Sequence, residues 1–234
     1  MGVVQHSFTS NQDLSTVLSR KISADLESAL QQAGHATLAV SGGSTPKPLF
    51  DALSQCELDW SKVYVTQVDE RWVPEYHADS NAALIREHLL QNKASEAQFL
   101  SMKTDEDDVF AAESACSQRL APFAAGIDVA VLGMGEDGHT ASFFPDAEQL
   151  DAALDPSSKA LCLGLRPPLA PHDRMTLSLA ALLRSHALYL HITGEKKLAV
   201  LNQALSGQDA RELPIRAVFN RSENPLEIYY APGS

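Results

Sequence analysis

The stretch ATLAVSGGSTP, residues 36–46, decides the fold. Residues 36–40 form a short, mostly apolar run that ends in turn residues, which predicts a buried strand. A Ser/Gly turn follows at residues 41–44, and Pro46 suits the first turn of a helix. A strand, a glycine turn and a helix in direct succession are the repeating unit of an α/β protein.

The same alternation continues on both sides of this stretch. Apolar residues from Leu14 to Ala33 recur at helical spacing, with Ser10 and Asn11 as capping candidates and Gly34 as the end. Further strands are predicted at 63–68, 127–132, 160–165, 175–179, 187–192 and 227–230, and further helices at 81–90 and 195–205. This order predicts one α/β domain over residues 1–234, with a mainly parallel sheet and helices on both faces. Ligands of such sheets bind beyond the carboxyl ends of the strands.

Composition excludes several classes of protein. A length of 234 residues with 44% hydrophobic and 21% charged residues is typical of a folded globular chain, not of a disordered one. The net charge is 18 − 30 = −12, which disfavours a nucleic-acid partner. The three widely separated cysteines fit neither a disulfide framework nor a zinc spacing.

The sequence also predicts a cytoplasmic location. The first residues lack the basic start and apolar segment of a secretory signal. No apolar run approaches the roughly 18–20 residues that a membrane span needs. We therefore expect no membrane partner.

The first glycine turn is a candidate anion site. Gly42 and Gly43 let the backbone approach a ligand closely, while Ser41, Ser44 and Thr45 offer hydroxyl donors. A plain strand-to-helix turn is the alternative. The turn has neither the spacing of a Walker loop nor that of a dinucleotide fingerprint.

A second candidate segment is VDERWVP, residues 68–74, which follows an apolar strand. Arg71 can form a fork to carboxylate or phosphate oxygens, and Asp69 can orient that arginine or take a proton. An internal ion pair at the neck of a loop is the alternative.

The third segment, LGMGEDGHTASFFP at residues 132–145, carries the most information. Three glycines in six positions predict a tight loop that leaves room for a ligand. His139 lies in this loop, where an imidazole can take a proton from water, and Asp137 can hold its tautomer. A packed or surface histidine is the alternative. Neither His-x-x-x-His nor Cys-x-x-Cys occurs here, so we predict no required metal, and Ser41 and Ser142 lie in no nucleophile elbow.

Two further segments carry cations. Arg166 and Arg174 flank a proline-rich loop, and Lys196 and Lys197 open a helix after Gly194. Either segment can complete an anion pocket, and solvated surface charge is the alternative for each.

Together and in this order, these segments resemble the 6-phosphogluconolactonase family. The resemblance runs from about residue 36 to residue 205, and it is carried by SGGSTP, VDERWVP, GMGEDGHTASFFP, DRMTLSL and GEKK. The wider superfamily also contains glucosamine-6-phosphate deaminases and isomerases, and it implies a Rossmann-like sheet that binds sugar phosphates.

The resemblance favours ester hydrolysis over deamination. The deaminases carry a glutamate just before the proline of the histidine loop, where this chain has Phe144. They also usually carry an aromatic residue where this chain has Arg71. A phenyl ring cannot accept or orient the proton of the imidazole, so the deaminase relay is incomplete.

The family pattern implies a mechanism without a cofactor. It implies that His139 is the general base that activates a water for attack on 6-phospho-D-glucono-1,5-lactone. Asp137 would orient the imidazole of His139. The product is 6-phospho-D-gluconate, in the oxidative pentose phosphate pathway. Arg71, positioned by Asp69, stabilises the oxyanion. The expected phosphate contacts are Ser41, Gly42, Gly43, Ser44, Thr45, Arg174 and Lys197.

Two other functions remain as alternatives, an amino-sugar phosphate isomerase-deaminase and a non-catalytic sugar-phosphate sensor. The expected partner is a small phosphorylated sugar lactone. The sequence does not indicate an oligomeric state, and it assigns no role to Arg166 or Lys196.

Overall fold

A computed structural model describes residues 3–219 and 225–233 of the chain. The strands are β1 Val3–Ser7, β2 Ala36–Val40, β3 Val63–Gln67, β4 Asp69–Arg71, β5 Gln98–Phe99, β6 Ile127–Leu132, β7 Cys162–Leu165, β8 Arg174–Leu177, β9 Ser185–Thr193 and β10 Leu226–Ala231. The α-helices are α1 Asn11–Ala33, α2 Lys47–Leu53, α3 Asn81–His88, α4 Glu113–Arg119, α5 Leu150–Ala153, α6 Leu179–Leu183, α7 Glu195–Ser206 and α8 Arg216–Phe219.

Seven strands form one sheet in the order β1-β10-β9-β6-β2-β3-β5, and every neighbouring pair is parallel. Alternate residues of the central strands enter two separate cores. Leu38 and Val40 pack on one face with helices α1 to α3, while Ala39 joins the opposite core with α4 and α6 to α8. Because side chains alternate along a strand, the central strands are buried on both faces. The predicted α/β class, with helices on both faces of a mainly parallel sheet, is confirmed.

Helix α1 forms as its sequence predicts. Ser10 caps it by accepting a hydrogen bond from the Asp13 amide (3.1 Å), and Gly34 ends it with a φ of 76°. Leu14, Leu18, Ile22 and Leu26 recur every four residues and are fully buried. Each such side chain contributes about 1.5–3 kcal/mol on burial, so this stripe fixes the helix to the sheet.

A second sheet differs from the expected arrangement. The strands predicted near 160–165 and 175–179 exist as β7 and β8, but they pair with β4 in a three-stranded antiparallel sheet. Only residues 166–173 connect β7 to β8. A connection this short suits antiparallel pairing, since parallel neighbours need a crossover of a dozen or more residues.

The strand order reverses between β2 and β6. After β2 the chain continues to β3 on one side of the sheet, and after β6 it continues to β9 on the other side. The loops that follow these two neighbouring strands therefore diverge and leave a crevice at their carboxyl ends, the usual ligand position in doubly wound sheets. These are the loops of the first glycine turn and of His139.

No helix in the described part of the chain is long and apolar enough to cross a membrane.

Candidate active site

A cavity of about 250 Å³ opens at this crevice. The loops after β2 and β6 line it together with β4, the end of β9 and the starts of α3 and α7. It collects most of the residues that the sequence indicates for the site, namely Ser41, Gly42, Gly43, Ser44, Thr45, Asp69, Arg71, His139 and Lys197.

The first glycine turn is fixed to the neighbouring strand and loop. The Ser41 amide donates to the Val131 carbonyl (2.9 Å), and Ser41 Oγ accepts from the Gly133 amide (3.1 Å). A Cβ on Gly42 would lie 1.8 Å from Asn81 Oδ1, so only glycine fits beside that side chain. Gly43 has a φ of +95° and nothing within 4 Å of a built Cβ, which leaves room beside its backbone.

His139 and Asp137 form a direct pair. His139 Nδ1 lies 2.5 Å from Asp137 Oδ1, and the same oxygen accepts from the His139 amide (3.1 Å). Burial would raise the pKa of Asp137, but the hydrogen bonds and charge of His139 outweigh it and hold that pKa below its ordinary value. An ionised carboxylate only accepts hydrogen bonds, so Nδ1 carries the proton and the Nε2 lone pair is left for a ligand.

Glycine makes this pair possible. A Cβ on Gly135 would lie 2.3 Å from His139 Nδ1 and 2.5 Å from Asp137 Oδ1. The Gly135 amide also donates to the His139 carbonyl (2.9 Å), which closes the loop. On its face, the His139 ring stacks on Phe144, with centroids 4.4 Å apart.

Asp69 and Arg71 both line the cavity, but they do not hold one another. Asp69 is 8% exposed and accepts a hydrogen bond from Ser142 Oγ (2.6 Å). Arg71 Nη1 donates to the Asp79 carbonyl (2.6 Å). Within the described residues no hydrogen bond or ion pair joins Asp69 to Arg71, and the expected positioning of Arg71 by Asp69 stays a prediction. Asp69 and Arg71 lie two residues apart on β4 and so on the same face, but the partner of Asp69 is Ser142 and that of Arg71 is the Asp79 carbonyl.

Glu70, which lies between these two residues on β4, anchors the start of α3. Its buried carboxylate accepts from the amides of Arg71 (2.7 Å), Asn81 (2.7 Å) and Ala82 (2.8 Å), and from two side chains. Desolvation raises its pKa, although the backbone hydrogen bonds pull the pKa down. Nothing in the sequence distinguishes this structural carboxylate from its neighbour Asp69.

Lys197 and His191 form the far wall of the cavity. Partial burial lowers the pKa of Lys197, against the charge of Glu136. His191 was not expected at the site, since it lies in the apolar run of β9. Burial and the charge of Lys197 lower its pKa to about 4, so it is neutral. Its Nε2 lies 3.2 Å from Asn11 Oδ1, and its buried Nδ1 has no partner among the described residues.

The remaining cations lie outside the cavity lining. Arg174 is 5% exposed, donates to the carbonyls of Pro171 and His172 (2.5 and 3.0 Å), and lies over the Phe144 ring. Its expected contact with phosphate stays a prediction. Arg166 forms a two-pronged ion pair with Asp173 (2.9 and 2.8 Å), and exposed Lys196 lies 3.7 Å from Glu136. These contacts give Arg166 and Lys196 roles as partners of acidic side chains.

Residues 9–227 match the family model described as glucosamine-6-phosphate isomerases/6-phosphogluconolactonase. The chain is 45% identical over 215 residues to the 6-phosphogluconolactonase of Pseudomonas aeruginosa, covering 92% of this chain and 89% of the relative. It is 44% identical to that of Rhizobium meliloti, covering 99% and 100%. The solved 6-phosphogluconolactonase of Shewanella baltica superposes with a TM-score of 0.95 at 44% identity, covering 98% and 97%. The chain therefore belongs to the glucosamine-6-phosphate isomerase/6-phosphogluconolactonase family.

Proposed function

We propose that this protein hydrolyses 6-phospho-D-glucono-1,5-lactone to 6-phospho-D-gluconate in the oxidative pentose phosphate pathway of the cytoplasm. The names of the relatives support this substrate. The observation that carries the proposal is the Asp137–His139 pair, whose imidazole lines the same cavity as the first glycine turn and Lys197. A base and an anion site in one crevice suit a substrate with a reactive carbonyl at one end and a phosphate at the other.

In the proposed reaction, Nε2 of His139 takes a proton from a water molecule while the water oxygen attacks C1 of the lactone. Asp137 stabilises the imidazolium that forms, because its carboxylate accepts the Nδ1 hydrogen. The C1–O5 bond of the tetrahedral intermediate then breaks, and the imidazolium returns its proton to O5. His139 ends neutral, and the product acid ionises in water.

The negative charge on the tetrahedral intermediate needs a hydrogen-bond donor that is held in a fixed position. Arg71 lines the cavity with its guanidinium held by the Asp79 carbonyl, so it is our candidate for stabilising the oxyanion. Backbone amides of the loop are the other available donors in this part of the crevice.

The phosphate is assigned to the first glycine turn, with Ser41, Ser44 and Thr45 as hydroxyl donors and Lys197 as the cation. A partly desolvated ammonium gains more from an anion than a solvated one does, which favours Lys197 for this role. Arg174, whose guanidinium lies over the Phe144 ring, is the second cation assigned to the phosphate.

The direct experiment measures 6-phosphogluconate formation from fresh lactone with the purified protein, at a pH low enough to slow spontaneous opening. We expect a rate well above the background. Ammonia release from glucosamine 6-phosphate is followed in parallel. Release of ammonia without lactone hydrolysis would replace our proposal with the isomerase-deaminase function, and tight binding of 6-phosphogluconate without turnover would replace it with a sensor.

A further inference from the structure

Two histidines and an aspartate meet beside the active-site cavity. His77 and Asp79 belong to the loop after β4, and His172 belongs to the loop between β7 and β8. Asp79 Oδ2 lies 2.9 Å from His172 Nε2 and 3.8 Å from His77 Nδ1. One ligand atom from each residue lies within 4.8 Å of the other two.

These distances suit a tetrahedral metal ion. Zinc binds imidazole nitrogen and carboxylate oxygen at about 2.0–2.2 Å, so its ligand atoms stand about 3.3 Å apart. The two measured separations bracket that value, and the third, between the two histidines, lies within 4.8 Å, so the side chains must close in to meet one ion. His77 Nδ1 accepts a hydrogen bond from the Asp79 amide (3.1 Å), so this nitrogen is unprotonated, and its lone pair must exchange that hydrogen bond for the bond to the metal.

The backbone holds His172 in an unusual conformation that directs it to Asp79. His172 has a φ of +68°, in the left-handed region that non-glycine residues rarely occupy. Arg174 Nη1 donates to the His172 carbonyl (3.0 Å) and helps to keep it there. A strained residue that places an imidazole against a carboxylate indicates a site in which that placement is used.

We propose that His77, Asp79 and His172 bind one Zn²⁺ ion, with water completing the coordination. Two imidazoles and one carboxylate select zinc over Mg²⁺ and Ca²⁺, which prefer oxygen ligands. The nearby guanidinium groups of Arg71 and Arg174 oppose a cation, so binding depends on the ligand bonds and not on net negative charge. In the absence of metal, a hydrogen bond joins His172 Nε2 to Asp79 Oδ2. When zinc binds Nε2, the neutral imidazole carries its proton on Nδ1 instead.

The ion has a structural consequence for the neighbouring site. It ties the loop after β4 to the loop between β7 and β8, and the carbonyl of Asp79 holds Arg71 Nη1. This zinc fixes the loop whose Asp79 carbonyl accepts from Arg71. It takes no part in the proposed reaction, and it is separate from the histidine loop, for which we predict no required metal.

Isothermal titration calorimetry of the metal-free full-length protein with zinc chloride tests this site, with magnesium chloride titrated in parallel. We expect one equivalent of zinc to bind and magnesium to give no comparable heat. His77→Gln and His172→Asn should each weaken zinc binding by more than about tenfold. Asparagine tolerates the left-handed backbone at 172, and His77 lies in an exposed loop, so both variants should fold.

The matched control is His35→Gln, since His35 is exposed and precedes β2 at the opposite end of the strands. This variant should bind zinc like the parent. Absence of zinc binding, or equal affinity in His77→Gln and His172→Asn, overturns the proposal. X-ray absorption at the zinc edge provides a second measurement, which should show nitrogen and oxygen ligands and no sulfur.

Discussion

The imidazole of His139 stacks on the phenyl ring of Phe144, with centroids 4.4 Å apart and the planes inclined by 28°. The carboxylate of Asp137 holds the edge of the same imidazole at Nδ1. The histidine is therefore fixed on one face and one edge, and only its Nε2 edge remains for a ligand. The guanidinium of Arg174 lies 5.5 Å from the Phe144 centroid, so the stack continues to the first residue of β8.

Phe144→Ala should lower kcat while leaving KM nearly unchanged. Such aromatic pairs contribute about 0.5–1.5 kcal/mol beyond the area they bury. If that energy holds the imidazole in its reactive position, its loss should lower kcat by roughly tenfold. Steady-state kinetics of lactone hydrolysis measure the effect. Phe144→Tyr keeps the stack and serves as the control, and a kcat of Phe144→Ala equal to that of the parent would show that the stack does not position His139.

Asp137→Asn should reduce kcat about 10²-fold or more, because an amide can present its NH₂ group to the imidazole and select the wrong tautomer. Asp146→Asn, an exposed change in the same loop, is the matched control and should leave kcat unaltered. Since the pKa of Asp137 lies below its ordinary value, its own titration should not depress the parent rate above roughly pH 5. Equal rates in the two variants would argue against a role for Asp137.

Gly42→Ala should lower kcat/KM by about tenfold or more, because its Cβ would fall 1.8 Å from Asn81 Oδ1. Either Asn81 releases the Asp69 carbonyl, to which its Nδ2 now donates (2.7 Å), or the turn moves. Gly34→Ala is the comparison, with a φ of +76° and open space around it. That change should cost about 1–2 kcal/mol of stability and spare activity. Normal kinetics in Gly42→Ala would contradict the assigned role of the turn.

His191 should make the protein less stable in acid. Its folded pKa of about 4 lies below the ordinary value of 6.5, so the unfolded chain binds more protons between these pH values. The stability that the neutral imidazole contributes is complete above pH 6.5 and falls as pH decreases towards 4. The loss by pH 5 is about 2 kcal/mol.

His191→Gln removes this group and should flatten the dependence by that amount. Urea unfolding of the parent and the variant at pH 7.5 and pH 5 provides the four free energies required. An identical change with pH in both proteins would mean that His191 does not titrate as the structure indicates.

The central α/β elements follow from local sequence signals. The bounds of β2 and β6 agree with those that their apolar runs predict, and the predicted caps of α1, Ser10 and Gly34, are its actual caps. These segments combine strong periodicity with clear start and stop residues, so little depends on the rest of the chain. In contrast, β1, β4 and β5 are short or partly exposed and have no such pattern.

Contacts between distant segments account for what the sequence does not show. No local sequence pattern predicts the pairing of β4 with β8, because these distant strands meet only in the folded chain. The hydrogen bond from Ser142 to Asp69 joins residues 73 positions apart. No local signal therefore shows that Asp69 has Ser142 and not Arg71 as its partner. His191 is hidden in an apolar strand, and only the fold brings it to the cavity. The glycine turn and the Asp137–His139 loop could be predicted because each is a run of nearly consecutive residues in the sequence.

The most direct measurement compares the parent with His139→Ala in two assays, lactone hydrolysis corrected for spontaneous opening and calorimetric binding of 6-phosphogluconate. His35→Ala, at an exposed histidine, is the control. Our account predicts that His139→Ala loses about 10²–10⁴-fold of the catalysed rate and still binds 6-phosphogluconate. A catalysed rate in His139→Ala equal to that of the parent would contradict it.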